Sequence, residues 1–98
     1  MVIETKRNDK ELTLELTGRI DTTTAPSLEQ TISENICDAE KLVLDFKGVE
    51  YISSAGLRVV LNAQKKMKQV GEMKVVNVCE EVMEIFEITG FVDILTIE

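Results

Sequence analysis

Leu12, Leu14 and Leu16 alternate with Thr13, Glu15 and Thr17. A period of two puts the three leucines on one face of a strand, and that face must be covered. Further along, Leu42-Val43-Leu44-Asp45-Phe46 is an apolar run interrupted once. Strands buried on both faces read this way, so this one is expected in the middle of a sheet. Between the two strands the apolar period lengthens. Leu28, Ile32 and Ile36 follow the i, i+4, i+8 spacing of a helix stripe within Thr22–Cys37. Pro26 suits a first helical turn and Thr24 an N-cap. Strands that alternate with helices imply parallel pairing through right-handed crossovers. An α/β fold follows from this alternation.

The remaining elements complete it. Val2 and Ile3 begin a short strand, and Lys6-Arg7-Asn8-Asp9-Lys10-Glu11 supplies a turn. Gly18 is expected to end the second strand, and Lys47-Gly48-Val49-Glu50 to form a loop. A long helix runs from about Ser54 to Val70, with Val60, Ala63, Met67 and Val70 on one face beside Leu57 and Leu61. Gly71 is its expected C′ glycine. Met73–Val78 reads as a fourth strand, and Glu80–Thr89 as a helix with Val82, Ile85 and Phe86 inward and Gly90 as its stop. Ile94, Leu95 and Ile97 suggest a last short strand. The expected order is β-β-α-β-α-β-α-β, a mixed, mostly parallel sheet with helices packed on it. At 98 residues this is one domain, 1–98.

Composition removes whole classes of function. There is no His, so a Ser–His–Asp triad, a Cys–His pair and a His-ligated zinc site are impossible within the chain. Eighteen acids against eleven bases give a net charge of −7. That balance disfavours nucleic acid, whose phosphates need clustered Lys and Arg, and anionic membrane surfaces. No apolar run is long enough for membrane insertion. Cys37 and Cys79 form no CxxC and are expected to be buried free thiols, which suits a cytoplasmic protein. Met67, Met73 and Met83 read as core filler. No metal or cofactor motif stands out.

The chemistry-bearing stretch is Ser53-Ser54-Ala55-Gly56-Leu57, where a strand and loop run into the long helix. Loops beyond the carboxyl ends of strands carry the sites of α/β sheets. A helix N-terminus also favours a phosphate on a serine placed there. On spacing alone, a serine N-cap with no further role is the stronger reading. GxxxxGK[ST] and GxSxG are both absent, so this is neither a phosphate-binding loop nor a nucleophile elbow.

These residues resemble the STAS domain family, and specifically its stand-alone bacterial anti-sigma factor antagonists. The similarity rests on Asp45-Phe46 followed by Tyr51-Ile52-Ser53-Ser54-Ala55-Gly56-Leu57, on Gly18-Arg19-Ile20-Asp21, and on Gly71-Glu72, Val75-Val76 and Thr89-Gly90-Phe91. It covers nearly the whole chain in order. The resemblance implies that Ser54 is a phosphoacceptor. Ser53 stands where many members have Asp and is a rival acceptor, while Ala55 replaces a second hydroxyl. Asp21 is implied to lie near this loop at the partner-facing end, or else to bond turn N–H groups. Asp21, Ser53, Ser54, Gly56, Leu57 and Arg58 are the expected partner-binding residues. Longer relatives continue into a further helix beyond the last expected strand.

The implied function is partner switching. The unphosphorylated protein would bind an anti-sigma factor that is also a serine kinase and so release a sigma factor. Phosphorylation of Ser54 would end that binding, and a serine phosphatase would restore it. The alternative is a STAS scaffold or transporter accessory module, with Ser54 only a cap. An enzyme is the third reading, and no carboxylate cluster has diagnostic spacing for it. The long helix adds an independent signal. It carries Arg58, Lys65, Lys66 and Lys68 and no acid, so it is +4, while seven bases against eighteen acids leave the rest at −11. Such a field can orient docking, although cations near a helix C-terminus also suit the dipole.

Overall fold

The chain reverses where Asp9 takes a left-handed φ of 56°, which pairs Asn8 with Glu11. Strand β1 (Val2–Asn8) therefore lies antiparallel to β2 (Glu11–Ile20) in this computed structural model, which describes residues 1–98. Helix α1 (Ala25–Asn35) then crosses to β3 (Lys41–Ile52), and α2 (Ser54–Val70) crosses to β4 (Glu72–Val76). Both crossovers join parallel neighbours, and the sheet order is β1-β2-β3-β4. Helix α3 (Glu80–Thr89) follows and ends at Gly90, which takes the left-handed conformation with φ 79°.

Two strands are longer than the sequence pattern suggests. Gly18 does not end β2, and the expected loop Lys47–Glu50 lies inside β3. The reason is a pair of register shifts. Between the Glu15–Asp45 and Ile20–Ile52 pairs, β2 advances five residues and β3 seven. The two extra residues let Phe46, Val49 and Ile52, three apart in sequence, all reach the same buried face. A period-two test breaks at such bulges. Gly48 makes the first one possible, because a Cβ there would lie 2.8 Å from Thr17 Oγ1 and 2.9 Å from the Leu16 carbonyl oxygen.

The buried strand residues all lie on one side: Leu12, Leu14 and Leu16, Leu42 and Leu44, Met73 and Val75. The central run is thus not buried on both faces, since Val43 and Asp45 are half exposed. The other face is polar and carries cross-strand charge pairs, among them Lys6–Glu15 at 3.0 Å and Lys41–Glu11 at 3.7 Å. An antiparallel edge and a helix-free face explain this alternation.

The helices differ from expectation in detail. In α2, Val59 is buried and Val70 is 59% exposed: Ile32 and Ser33 of α1 lie beside Val59 and Ala63, whereas Val70, the last residue of the helix, lies outside the core. Gly71 ends α2 in an extended conformation, not a left-handed one. Its requirement is space, as a Cβ would collide with the Glu40 carbonyl. The last strand is reduced to a 3-10 turn, Phe91–Asp93, and a single parallel bridge between Val75 and Ile97. Both cysteines are free, but Cys37 is exposed just past α1 and Cys79 is half-buried with its thiol donating to the Val49 carbonyl. Of the methionines, Met67 and Met73 are buried and Met83 is half-buried. No helix is long and apolar enough to cross a membrane.

Helix α3 is attached through Val82 and Phe86, both fully buried, and the Phe86 ring lies 6.1 Å from Phe46 and 6.2 Å from Phe91. Phe86→Ala should therefore destabilise the chain by about 3–5 kcal/mol. A lowered urea midpoint at unchanged m value is the expected measurement.

Candidate functional site

Ile20 and Ile52 are paired, so β2 and β3 end side by side. The Ser53 N–H donates to the Ile20 carbonyl at 2.8 Å, which ties the two strand-to-helix connections together. The turn Asp21–Thr24 and the start of α2 thus share one end of the sheet.

Asp21 organises the first connection. Its Oδ1 accepts from the Thr23 N–H at 3.0 Å, the Thr23 hydroxyl at 2.7 Å and the Thr24 N–H at 3.1 Å. The Thr23 hydroxyl, followed by the Thr24 N–H, holds its carboxyl below the usual range. Thr24 occupies the N-cap position of α1, yet its side chain does not cap. Its hydroxyl instead donates to the Arg19 carbonyl at 2.7 Å and accepts from the Asp21 N–H at 2.8 Å. The turn role foreseen for Asp21 is therefore present in the geometry.

The second connection divides its two serines. Ser53 is the N-cap of α2, and its Oγ accepts from the Gly56 N–H at 3.2 Å. Ser54 is the first helical residue, exposed, and no side-chain hydrogen bond within the chain engages its hydroxyl. Ser53 is half-buried by comparison. Of the residues expected to meet a partner, Gly56 and Leu57 are buried beneath this first turn. A Cβ at Gly56 would lie 2.6 Å from Ile20 Cγ2 and 2.7 Å from Ile52 Cγ1, so its absence seats α2 on the two strand ends. Leu57 anchors the same turn in the core. Arg58 is exposed one turn beyond Ser54.

Two contacts were not legible in the sequence. Arg19 lies over the Tyr51 ring, 4.3 Å from its centroid, on the polar face of the sheet beside the α2 start. The two pair only because of the bulges between β2 and β3. Asp45 accepts from the Lys47 N–H and the Asn77 side-chain amide, each at 3.0 Å. It braces the first bulge and the exit of β4, a structural part.

The ion pairs draw their bases from β1, β3, β4 and the β1–β2 turn: Lys6, Lys10, Lys41 and Lys74. The four bases of α2 are in none of them. The largest concavity, roughly 770 Å³, is open to solvent and lies at the opposite end of the sheet, lined by Lys10, Cys37, Glu40 and Val70 among others. No pocket includes Ser53, Ser54 or Asp21. No group of three Cys, Asp or Glu side chains is placed to hold a metal ion.

The family model of the STAS domain matches residues 2–98. The anti-sigma-B factor antagonist of Bacillus subtilis is 31% identical over 97% of this chain and 88% of its own length. The crystal structure of an anti-sigma factor antagonist from Mycobacterium paratuberculosis superposes with a TM-score of 0.89 at 26% identity, covering 98% of this chain and 83% of that one. The phosphorylated form of the Bacillus cell fate determinant SpoIIAA shares the fold, with a TM-score of 0.77 at 16% identity over 99% of this chain and 91% of that one.

The unequal serines make a direct prediction. Ser53→Ala should cost about 1 kcal/mol through the lost cap. Ser54→Ala should stay within about 0.5 kcal/mol of wild type in the same urea titration, as exposed substitutions do. Asp21 gives a pH signature. Its folded carboxyl titrates below the ordinary value of 3.8, so its contribution is full above that value and is lost as pH falls through the folded pKa. Asp21→Asn should lower stability at neutral pH and flatten the acid limb of the stability–pH curve.

Proposed function

The chain belongs to the STAS domain family, and we propose that it is an anti-sigma factor antagonist of the cytoplasm, switched by phosphorylation of Ser54. The observation that carries this reading is the division between the two serines. Ser53 is committed to the cap, while Ser54 presents a free hydroxyl on an exposed first turn. An acceptor must be able to enter another protein's active site, and Ser54 can do so without breaking a contact.

In its unphosphorylated state the protein docks this end on an anti-sigma factor that is also a serine kinase, and the sigma factor is released. The unpaired bases of α2 against a body of −11 support an oriented approach to an acidic partner surface. The kinase then uses ATP. Ser54 Oγ attacks the γ-phosphorus as a kinase carboxylate takes the hydroxyl proton. The Oγ–P bond forms, the bond from the γ-phosphorus to its bridging oxygen breaks, and ADP leaves with the electron pair. The phosphate brings a charge of about −1.5 to −2 to the docking surface and ends the complex. The α2 N-terminus tolerates that charge, since its first turn carries no acid. Hydrolysis by a serine phosphatase restores the hydroxyl. The chain is substrate and binder in this cycle.

The experiment incubates the protein with the kinase-type anti-sigma factors of its source genome and ATP, and maps phosphate by mass spectrometry. One phosphoryl group on Ser54 is expected, with none on the Ser54→Ala variant. Ser54→Asp should weaken binding at least tenfold. No phosphate at Ser54 together with unchanged binding by Ser54→Asp would sink the reading and favour a constitutive scaffold or transporter accessory module.

A further inference from the structure

Arg58 stands four residues after Ser54 on α2, and both are exposed. That spacing stacks two side chains on one helix face, with Cβ atoms about 5–6 Å apart. An anion on the N-terminal partner and a cation four residues later is the favourable order. Arg58 has no ion-pair partner, in a chain where acids outnumber bases 18 to 11. No acid lies between Ser54 and Val70 to compete for it. Of the other charged groups toward this end, Glu80 and Glu81 lie in the first turn of α3. Asp21 is held by Thr23 and Thr24, Arg19 lies over Tyr51, and Glu50 sits within β3. On the adjoining helix α1, Glu29 faces the second and third turns of α2, near Asn62 and Lys65.

We propose that Arg58 is the intramolecular counter-ion of phosphorylated Ser54. Its guanidinium takes two phosphate oxygens in a forked, charge-assisted pair along the surface of α2. The inference rests on the reading of Ser54 as the phosphoacceptor and adds what the phosphate does next. In the unphosphorylated protein Arg58 is a free cation for the partner. Once Ser54 is phosphorylated, the same side chain is drawn back onto its own helix. One modification then makes two changes to the docking surface, an added anion and a withdrawn cation.

The test installs phosphoserine at position 54 of the full chain by genetic code expansion, so that no kinase is needed. The second ionisation of the phosphate is followed by ³¹P NMR in wild type, Arg58→Gln and Arg58→Lys. The helix N-terminus acts alike in all three and cancels from the comparison. Wild type should titrate lower than Arg58→Gln by on the order of 0.3 pH unit, the size expected of a surface i, i+4 ion pair. Arg58→Lys should recover part of that shift, since it keeps the charge and loses the fork. Salt at about 1 M should narrow the gap. Equal values in wild type and Arg58→Gln, or no recovery in Arg58→Lys, would overturn the proposal. A negative kinase assay would count against Ser54 as the natural acceptor and leave this measurement fully readable.

Discussion

The close seat of α2 on the paired ends of β2 and β3 is the contact from which the site is built. Ile20 and Ile52 leave room at position 56 for a hydrogen atom and nothing larger. With Gly56 pressed there, the first turn of α2 has one permitted height and rotation. Ser53 is then placed to cap, Leu57 to enter the core, and Ser54 and Arg58 to face water. The exposed chemistry is thus set by an apolar contact beneath it.

That contact depends in turn on the unequal lengths of the strands. Without the two extra residues in β3, Ile52 would not arrive opposite Ile20, and the two connections would not meet. Gly48 and Asp45 serve the same end farther down the strand, one by leaving space and the other by bracing the bulge and Asn77. The segment between Asp45 and Ser53 therefore acts as a gauge that positions the helix start.

Periodicity exposed the helices and the regular halves of the strands. Leu12, Leu14 and Leu16 alternate cleanly, and Glu80–Thr89 reads as a helix with Gly90 as its stop, as it is in the structure. It failed where the rule of two fails, from Lys47 to Glu50, because bulged residues change spacing without leaving the sheet. It also placed Val70 inside and overlooked Val59, since a stripe drawn on one helix cannot know that a second helix lies beside Val59. The two-sided burial expected for Leu42–Phe46 was a similar error: Val43 is apolar but lies on the half-exposed face. At the site, the Ser53-Ser54 pair was visible, but which hydroxyl caps and which is free is a matter of backbone geometry. The Arg19–Tyr51 contact depends on register and had no local signal.

Ser54 carries a hydroxyl that none of the chain's own side chains or backbone groups engage. Adding or removing a group there breaks no bond that holds the fold together. A protein whose altered residue is wired into its core must wait for that core to rearrange before its new state can be read. Here no such waiting time is built in. The tempo of any response through Ser54 is left to the proteins that write, read and erase the mark, and the fold serves as a fixed page.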